Sequence, residues 1–166
     1  KRVVLIGCGT SLHAAQVGRY LFEQLAGLPS EAEAASEFRY RDPIIDSSTL
    51  VVSIAQSGET VDTLAAMRTV QEKGGRLVTI CNVEGSQSTR MAEATLYMGL
   101  STEIGVASTK TFVASLTTLS LLAGYLGQSR GFLSKEGVRQ LVDQLAQCPR
   151  LIGEMLADTS VYQRLA

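Results

Sequence analysis

Several residue types are scarce in this chain of 166 residues, and each scarcity narrows what it can do. Tryptophan is absent and aromatic residues are 5% of the total. A single histidine, His13, is too few for a histidine-rich metal centre. The three cysteines, Cys8, Cys81 and Cys148, are odd in number and far apart. They have neither metal-site nor disulfide-framework spacing, which points to a reducing, cytoplasmic compartment. The formal net charge is −1, with no basic stripe of the kind a nucleic-acid surface requires. The most apolar stretch, Thr111–Leu126, is short and interrupted by Ser and Thr, so no membrane span is expected. The chain opens on Lys1-Arg2 and is apolar from Val3. With no initiator Met or targeting leader in view, it is expected to be a piece cut from a longer protein.

What remains is a globular composition, 45% hydrophobic and 19% charged, long enough to bury a core as one domain. Val3–Ile6, Leu50–Ala55 and Leu77–Cys81 are continuous aliphatic and β-branched runs, the pattern of parallel strands covered on both faces. Glu31–Ala35 and Thr95–Met98 read as shorter outer strands. Helical patterns run from Leu12 to Ala26, stopped by Gly27 and Pro29, and from the loop after Leu50–Ala55 to Lys73, stopped by Gly74-Gly75. A long helix begins near Ser108, and an amphipathic one covers about 135–156. Strands alternating with helices predict a parallel, doubly wound α/β sheet with right-handed crossovers. Five strands suit the flavodoxin-like order 2-1-3-4-5, whose ligand crevice lies beyond the carboxyl ends of strands 1 and 3.

The two most distinctive loops follow those two strands. In Cys8-Gly9-Thr10-Ser11, Gly9 permits a tight turn, and two hydroxyls stand beside the unpaired N–H groups of a helix start. Such a place suits an anion. Taken alone, Ser11 reads more readily as a simple N-cap. Gln56-Ser57-Gly58-Glu59-Thr60 adds an amide, two hydroxyls, and a glycine that lets backbone approach a ligand, although Ser57 or Thr60 could equally cap the next helix. Val106-Ala107-Ser108-Thr109 opens the long helix in similar fashion. Cationic charge is sparse here: only Lys110 is near, and it reads as a solvated first-turn lysine. An anion would be held by hydroxyls, amides and helix ends, each end contributing about 0.3–1 kcal/mol.

Other motifs carry less. Gly7–Leu12 resembles the dinucleotide fingerprint but has Leu12 at the third glycine, and no Walker A sequence occurs. A Cys8–His13 nucleophile pair is conceivable, but a small residue at a strand end and a helix-surface histidine are the simpler readings. Glu59 and Glu103 are carboxylates near the crevice; capping or amide binding is their commoner use. No catalytic residue, metal ligand or cofactor is assigned.

Taken together, CGTS (8–11), ASEFRYR (35–41), QSGETVDT (56–63), ICNVEGS (80–86) and TEIGVASTK (102–110) resemble the sugar isomerase (SIS) domains. Among these they are most similar to the glucosamine-6-phosphate synthase family, the glutamine–fructose-6-phosphate aminotransferases of amino-sugar biosynthesis. The likeness runs from about Val3 to Gly127. It implies a three-layer α/β/α sandwich with a five-stranded parallel sheet. It also implies one SIS domain over 1–166, with a core at about 3–127, acting as the hexose 6-phosphate lobe of the isomerase half. Fructose 6-phosphate and glucosamine 6-phosphate are the implied ligands. By position, Thr10, Ser11, Gln56, Ser57 and Thr60 would hold the phosphate; Val106, through its backbone, and Ser108 would meet the sugar. With Cys8, Gly9 and Gly58 from the same loops, these are the candidate binding residues. The family commonly reads SQSGET, whereas this chain has Ala55 at the first serine, one phosphate hydroxyl fewer. The glutaminase domain and the second SIS lobe, which carries the isomerising groups, are not in this sequence. The fragment is therefore expected to be inactive alone and to pair with a second lobe or a second copy of itself. A sugar-phosphate sensor module and a fructosamine-type deglycase lobe are the competing readings; ASEFRYR and TEIGVASTK favour the synthase.

Overall fold

The computed structural model describes residues 1–105 and 108–165. Five strands, β1 (Arg2–Gly7), β2 (Ser30–Ala34), β3 (Thr49–Ala55), β4 (Arg76–Cys81) and β5 (Ala94–Tyr97), form one sheet in the order β2-β1-β3-β4-β5. Every pairing is parallel. The helices are α1 (Thr10–Ala26), α2 (Ala35–Phe38), α3 (Val61–Glu72), α4 (Gln87–Met91), α5 (Lys110–Ser129), α6 (Lys135–Leu156) and α7 (Ser160–Leu165). Strand order and class agree with the sequence-based expectation. The short helices α2 and α7 were not foreseen, since four and six residues are too few for a helical period to emerge from the pattern.

Successive strand residues point to opposite faces, and the core divides accordingly. Val3 and Leu5 of β1 join Val52, Ile54 and Ile80 against Ala14, Ala15, Phe22 and Ala26 of α1 and Leu119 and Ala123 of α5. Val4 and Ile6 join Val51 and Leu77 against Ala35 and Phe38 of α2 and Leu64, Ala66, Met67 and Val70 of α3. These two cores make the three layers. The buried hydroxyls of Ser53 and Thr79 satisfy one another across β3 and β4, at 2.8 Å.

The α5 face is incompletely covered. An apolar groove of about 740 Å³ runs between α5 and the outer strands, lined by Leu50, Val78, Leu96, Leu122 and Tyr125 among others. Leu121 is 46% and Tyr125 65% exposed. The amphipathic helix α6 lies beside α5, with Leu141 close to Gly124, yet none of its own residues is buried. Burial of α5 wholly within the chain by α6 is therefore not what the structure has, because α6 flanks α5 on one side only.

Candidate functional site

The carboxyl ends of β1 and β3 are neighbours in the sheet, so the loops that leave them must converge. They enclose a cleft of about 330 Å³ lined by Cys8, Gly9, Thr10 and Ser11 from the first loop, Gln56, Ser57 and Thr60 from the second, and Ser108 from before α5. Ile54, Ala55 and Thr63 complete the wall. Larger hollows occur at the amino ends of the strands and in the apolar groove, but they lack this convergence of hydroxyls and helix starts. Polar groups converging on a concave surface are the mark of a binding site.

Local geometry explains how the hydroxyls come to face inward. Gly9 has φ 56° and ψ −128°, a conformation essentially reserved for glycine, and it serves as the N-cap of α1 without a side-chain bond. The chain enters the helix one residue early, at Thr10, so the expectation that Ser11 caps the helix is corrected. Thr10 and Ser11 sit in the first turn, where their hydroxyls bond no described residue. Thr60 occupies the N-cap position of α3, extended, and its hydroxyl makes no capping bond either. The Ser57 hydroxyl accepts from the Glu59 N–H at 3.2 Å and keeps its own proton to donate. Three hydroxyls that local reading would have spent on caps are thus turned toward the cleft.

One candidate, Gly58, stands apart from the lining. Gly58 is buried and does not line the cleft: a side chain there would collide with the Ser86 and Ser88 hydroxyls, and its carbonyl accepts from the Ser88 N–H at 3.0 Å. It packs the second loop onto α4. Val106 lies outside the described residues. In the other direction, Thr63 is a wall residue that sequence reasoning missed. The residue is 2% exposed, and its hydroxyl meets the Cys8 thiol at 3.7 Å. Its position three residues beyond Thr60, one helical turn on, was the available signal.

His13 is exposed and bonds Gln16 at 3.3 Å, and no Cys8–His13 pair forms. Both carboxylates near the crevice serve helix starts. Glu59 accepts from the Gln87 N–H at 2.7 Å, at the start of α4. Glu103 gathers the start of α5: it accepts from the Thr109 N–H at 2.8 Å, the Lys110 N–H at 3.0 Å, and the Thr109 and Ser108 hydroxyls at 2.9 and 3.2 Å. Its carboxyl is held at about 2, below the ordinary 4.5, first by the Thr111 hydroxyl and then by Thr109 and Ser108. The buried Thr111 hydroxyl has no partner in full hydrogen-bond geometry, so its pull on Glu103 is a close approach, and the Thr109 and Lys110 amides are the well-formed bonds. Lys110 is exposed in the first turn of α5, as expected, and donates to the Ser101 hydroxyl and the Thr102 carbonyl, both at 3.0 Å. The Asn82 amide clamps the same loop through both the N–H and the carbonyl of Leu100.

Because the carboxyl of Glu103 is depressed by folding, its contribution is fully present above its ordinary value near 4.5 and is lost as pH falls through about 2. Glu103→Gln is expected to melt below the wild type at neutral pH, with the gap closing toward pH 2. Melting curves of the two proteins across pH check this; a gap that does not change with pH would assign Glu103 a packing role only.

Among the described residues, none of Lys, Arg or His lines the cleft, no group of metal-ligating side chains assembles, and no helix is long and apolar enough to cross a membrane. A parallel α/β/α sandwich with hydroxyl-rich helix starts at its switch point defines a class of small-anion-binding domains. The SIS domain model matches residues 1–124, and the chain belongs to that family. It is homologous to part of the glutamine–fructose-6-phosphate aminotransferases. It is 47% identical over 99% of its length to the isomerizing enzyme of Thermus thermophilus, covering 27% of that protein. Among solved structures it superposes on the C-terminal domain of glucosamine-fructose-6-phosphate aminotransferase from Francisella tularensis with a TM-score of 0.93 and 33% identity, covering 98% of this chain and 47% of that one. The sugar isomerase domain of an RpiR transcription factor from Sphaerobacter thermophilus shares the fold, with a TM-score of 0.65 at 15% identity, covering 89% of this chain and 79% of that one. The chain spans about a quarter of the length of the curated relatives it matches.

Proposed function

We propose that residues 1–166 form one SIS domain that binds a hexose 6-phosphate, fructose 6-phosphate or glucosamine 6-phosphate, as the first lobe of the isomerase half of a cytoplasmic glutamine–fructose-6-phosphate aminotransferase. The observation that carries this is the convergence of Thr10, Ser11, Gln56, Ser57, Thr60 and Ser108 on one cleft at the switch point. The phosphate accepts from those hydroxyls, from the Gln56 amide, from the Thr10 N–H and from the N–H groups that open α3, since the Ser11 and Leu12 N–H groups already donate to the Cys8 and Gly9 carbonyls. Hydrogen bonds to a charged group contribute about 1.5–3 kcal/mol each before association costs. Ala55, in the same wall, leaves one donor fewer than the family pattern.

A thermal-shift panel tests the reading, since a ligand that binds only the native state raises its stability by mass action. Hexose 6-phosphates should raise the melting temperature more than free hexoses or inorganic phosphate. Equal or absent shifts would remove the assignment.

Aldose–ketose isomerisation needs a base beside C1–C2 and an acid for ring opening. The carboxylates by this cleft, Glu59 and Glu103, are engaged at helix starts. The chain alone is therefore expected not to convert fructose 6-phosphate; robust turnover by the purified protein would promote one of the two to a base.

The partner in this reading is a second SIS lobe or a second copy of the chain. The half-bare α5 and the unburied apolar residues of α6 support it. A symmetric pair would cover the same surface reciprocally. Light scattering at micromolar concentration should report a dimer, and a strictly monomeric particle would count against it.

A further inference from the structure

The ASEFRYR segment carries strong sequence character, yet none of its residues lines the cleft. Its fold shows where its charge goes. Ala35 and Phe38 of α2 are buried under α3, which fixes the chain that follows. Arg39, at the end of α2, reaches α3 and donates to Asp62 Oδ1 at 2.8 Å, with its guanidinium stacked on the Tyr40 ring at 4.8 Å. Arg41 turns the other way, gripping both oxygens of Glu33 at 2.6 and 2.8 Å.

Asp62 is the acidic residue in the first turn of α3. Its neighbours Thr60 and Thr63 both line the cleft, so Asp62 shares the first turn of α3, a rise of ~5 Å, with two wall residues although it does not line the cleft itself. An uncancelled carboxylate there would repel a phosphate dianion, and it would also engage the positive end of the α3 dipole that the phosphate needs. Among the described residues, no cation lines the cleft to offset it. As a partly exposed pair, Arg39 and Asp62 contribute little to stability; the consequence of pairing them lies in the charge felt at the cleft.

We propose that Arg39 is a positioning residue for anion binding: by pairing with Asp62 it neutralises the carboxylate at the start of α3 and leaves that helix end to the phosphate. This rests on the sugar-phosphate reading of the cleft. Arg39 itself touches no substrate atom.

The test is calorimetric titration of inorganic phosphate and fructose 6-phosphate into the wild type, Arg39→Gln, Arg39→Lys, Asp62→Asn and the Arg39→Gln/Asp62→Asn double variant, at low and high salt. Arg39→Gln should weaken phosphate binding about fivefold at low salt and much less near 1 M, where the screening length is ~3 Å. Arg39→Lys should restore most of the affinity. Asp62→Asn should bind phosphate at least as tightly as the wild type, and the double variant should return to within about twofold of it. A purely structural ion pair gives a different outcome: both single variants lose affinity and the double variant does not recover. That result, or an unchanged Arg39→Gln, overturns the proposal while leaving the sugar-phosphate reading standing. If the wild type binds neither phosphate nor sugar phosphate, the reading itself fails and takes this inference with it. Should Arg39→Gln not fold, weakened phosphate binding by Asp62→Asn is enough to overturn the proposal.

Discussion

Replacing Ser57 and Thr60 together by alanine is expected to weaken fructose 6-phosphate binding tenfold or more, about 1.4 kcal/mol. Both residues line the cleft, from opposite ends of the loop between β3 and α3. Neither hydroxyl is structurally indispensable: Ser57 accepts one exposed N–H, and Thr60 makes no capping bond. The loss should therefore appear in affinity and not in melting temperature. Ala55→Ser, which adds a hydroxyl to the same wall, should tighten binding modestly. Titration calorimetry on the three proteins decides; wild-type affinity in the double variant would remove the cleft as the phosphate site.

Gly127→Ala should destabilise the protein by about 3 kcal/mol. On helix propensity alone the change would favour alanine by up to ~1 kcal/mol. At Gly127, however, the new methyl would overlap the Leu25 carbonyl oxygen at the end of α1 and lie 3.2 Å from Leu133 Cβ. That oxygen is backbone and cannot swing aside, so α1 and α5 must separate. These two helices together build the core on their side of the sheet, through Phe22, Leu119 and Ala123. The expected fall in Tm is ~10 °C. Gly153→Ala in α6 is the control, since a methyl there meets nothing within 4 Å and should gain up to ~1 kcal/mol. Melting curves of both variants separate propensity from packing; a neutral Gly127→Ala would mean that α5 shifts freely on α1.

Much of the architecture was legible before any coordinates. The aliphatic runs at Val3–Ile6, Leu50–Ala55 and Leu77–Cys81 are buried on both faces, so their composition announces them. The glycine stops after Ala26 and Lys73 mark real helix ends. Less visible were the short elements: β2 and β5, exposed in part, and α2, which is held by its place beneath α3 more than by any period of its own. At the cleft, residue types in the loops pointed to an anion, but the same hydroxyls read equally well as caps. Gly58 reads as an approach for ligand, and its packing against Ser86 and Ser88 was not visible in the sequence.

By itself, the sequence determined the strand–helix alternation, and with it a parallel sheet, because a parallel connection demands a crossover and five buried or half-buried runs supply one sheet. It also determined the kind of ligand the loops suit, because hydroxyls and glycine beside helix starts favour anions whatever the context. Tertiary structure alone decided which hydroxyls are free to bind. The φ and ψ of Gly9 start α1 at Thr10, and the adjacency of β1 and β3 brings the two loops to one cleft. It alone decided that Glu59 and Glu103 serve helix ends, that Thr63 joins the wall, and that Arg39 reaches Asp62. Each of these is a contact between residues distant in the chain or a choice among equally permitted local conformations, and local preference is too small to settle either until the sheet has closed.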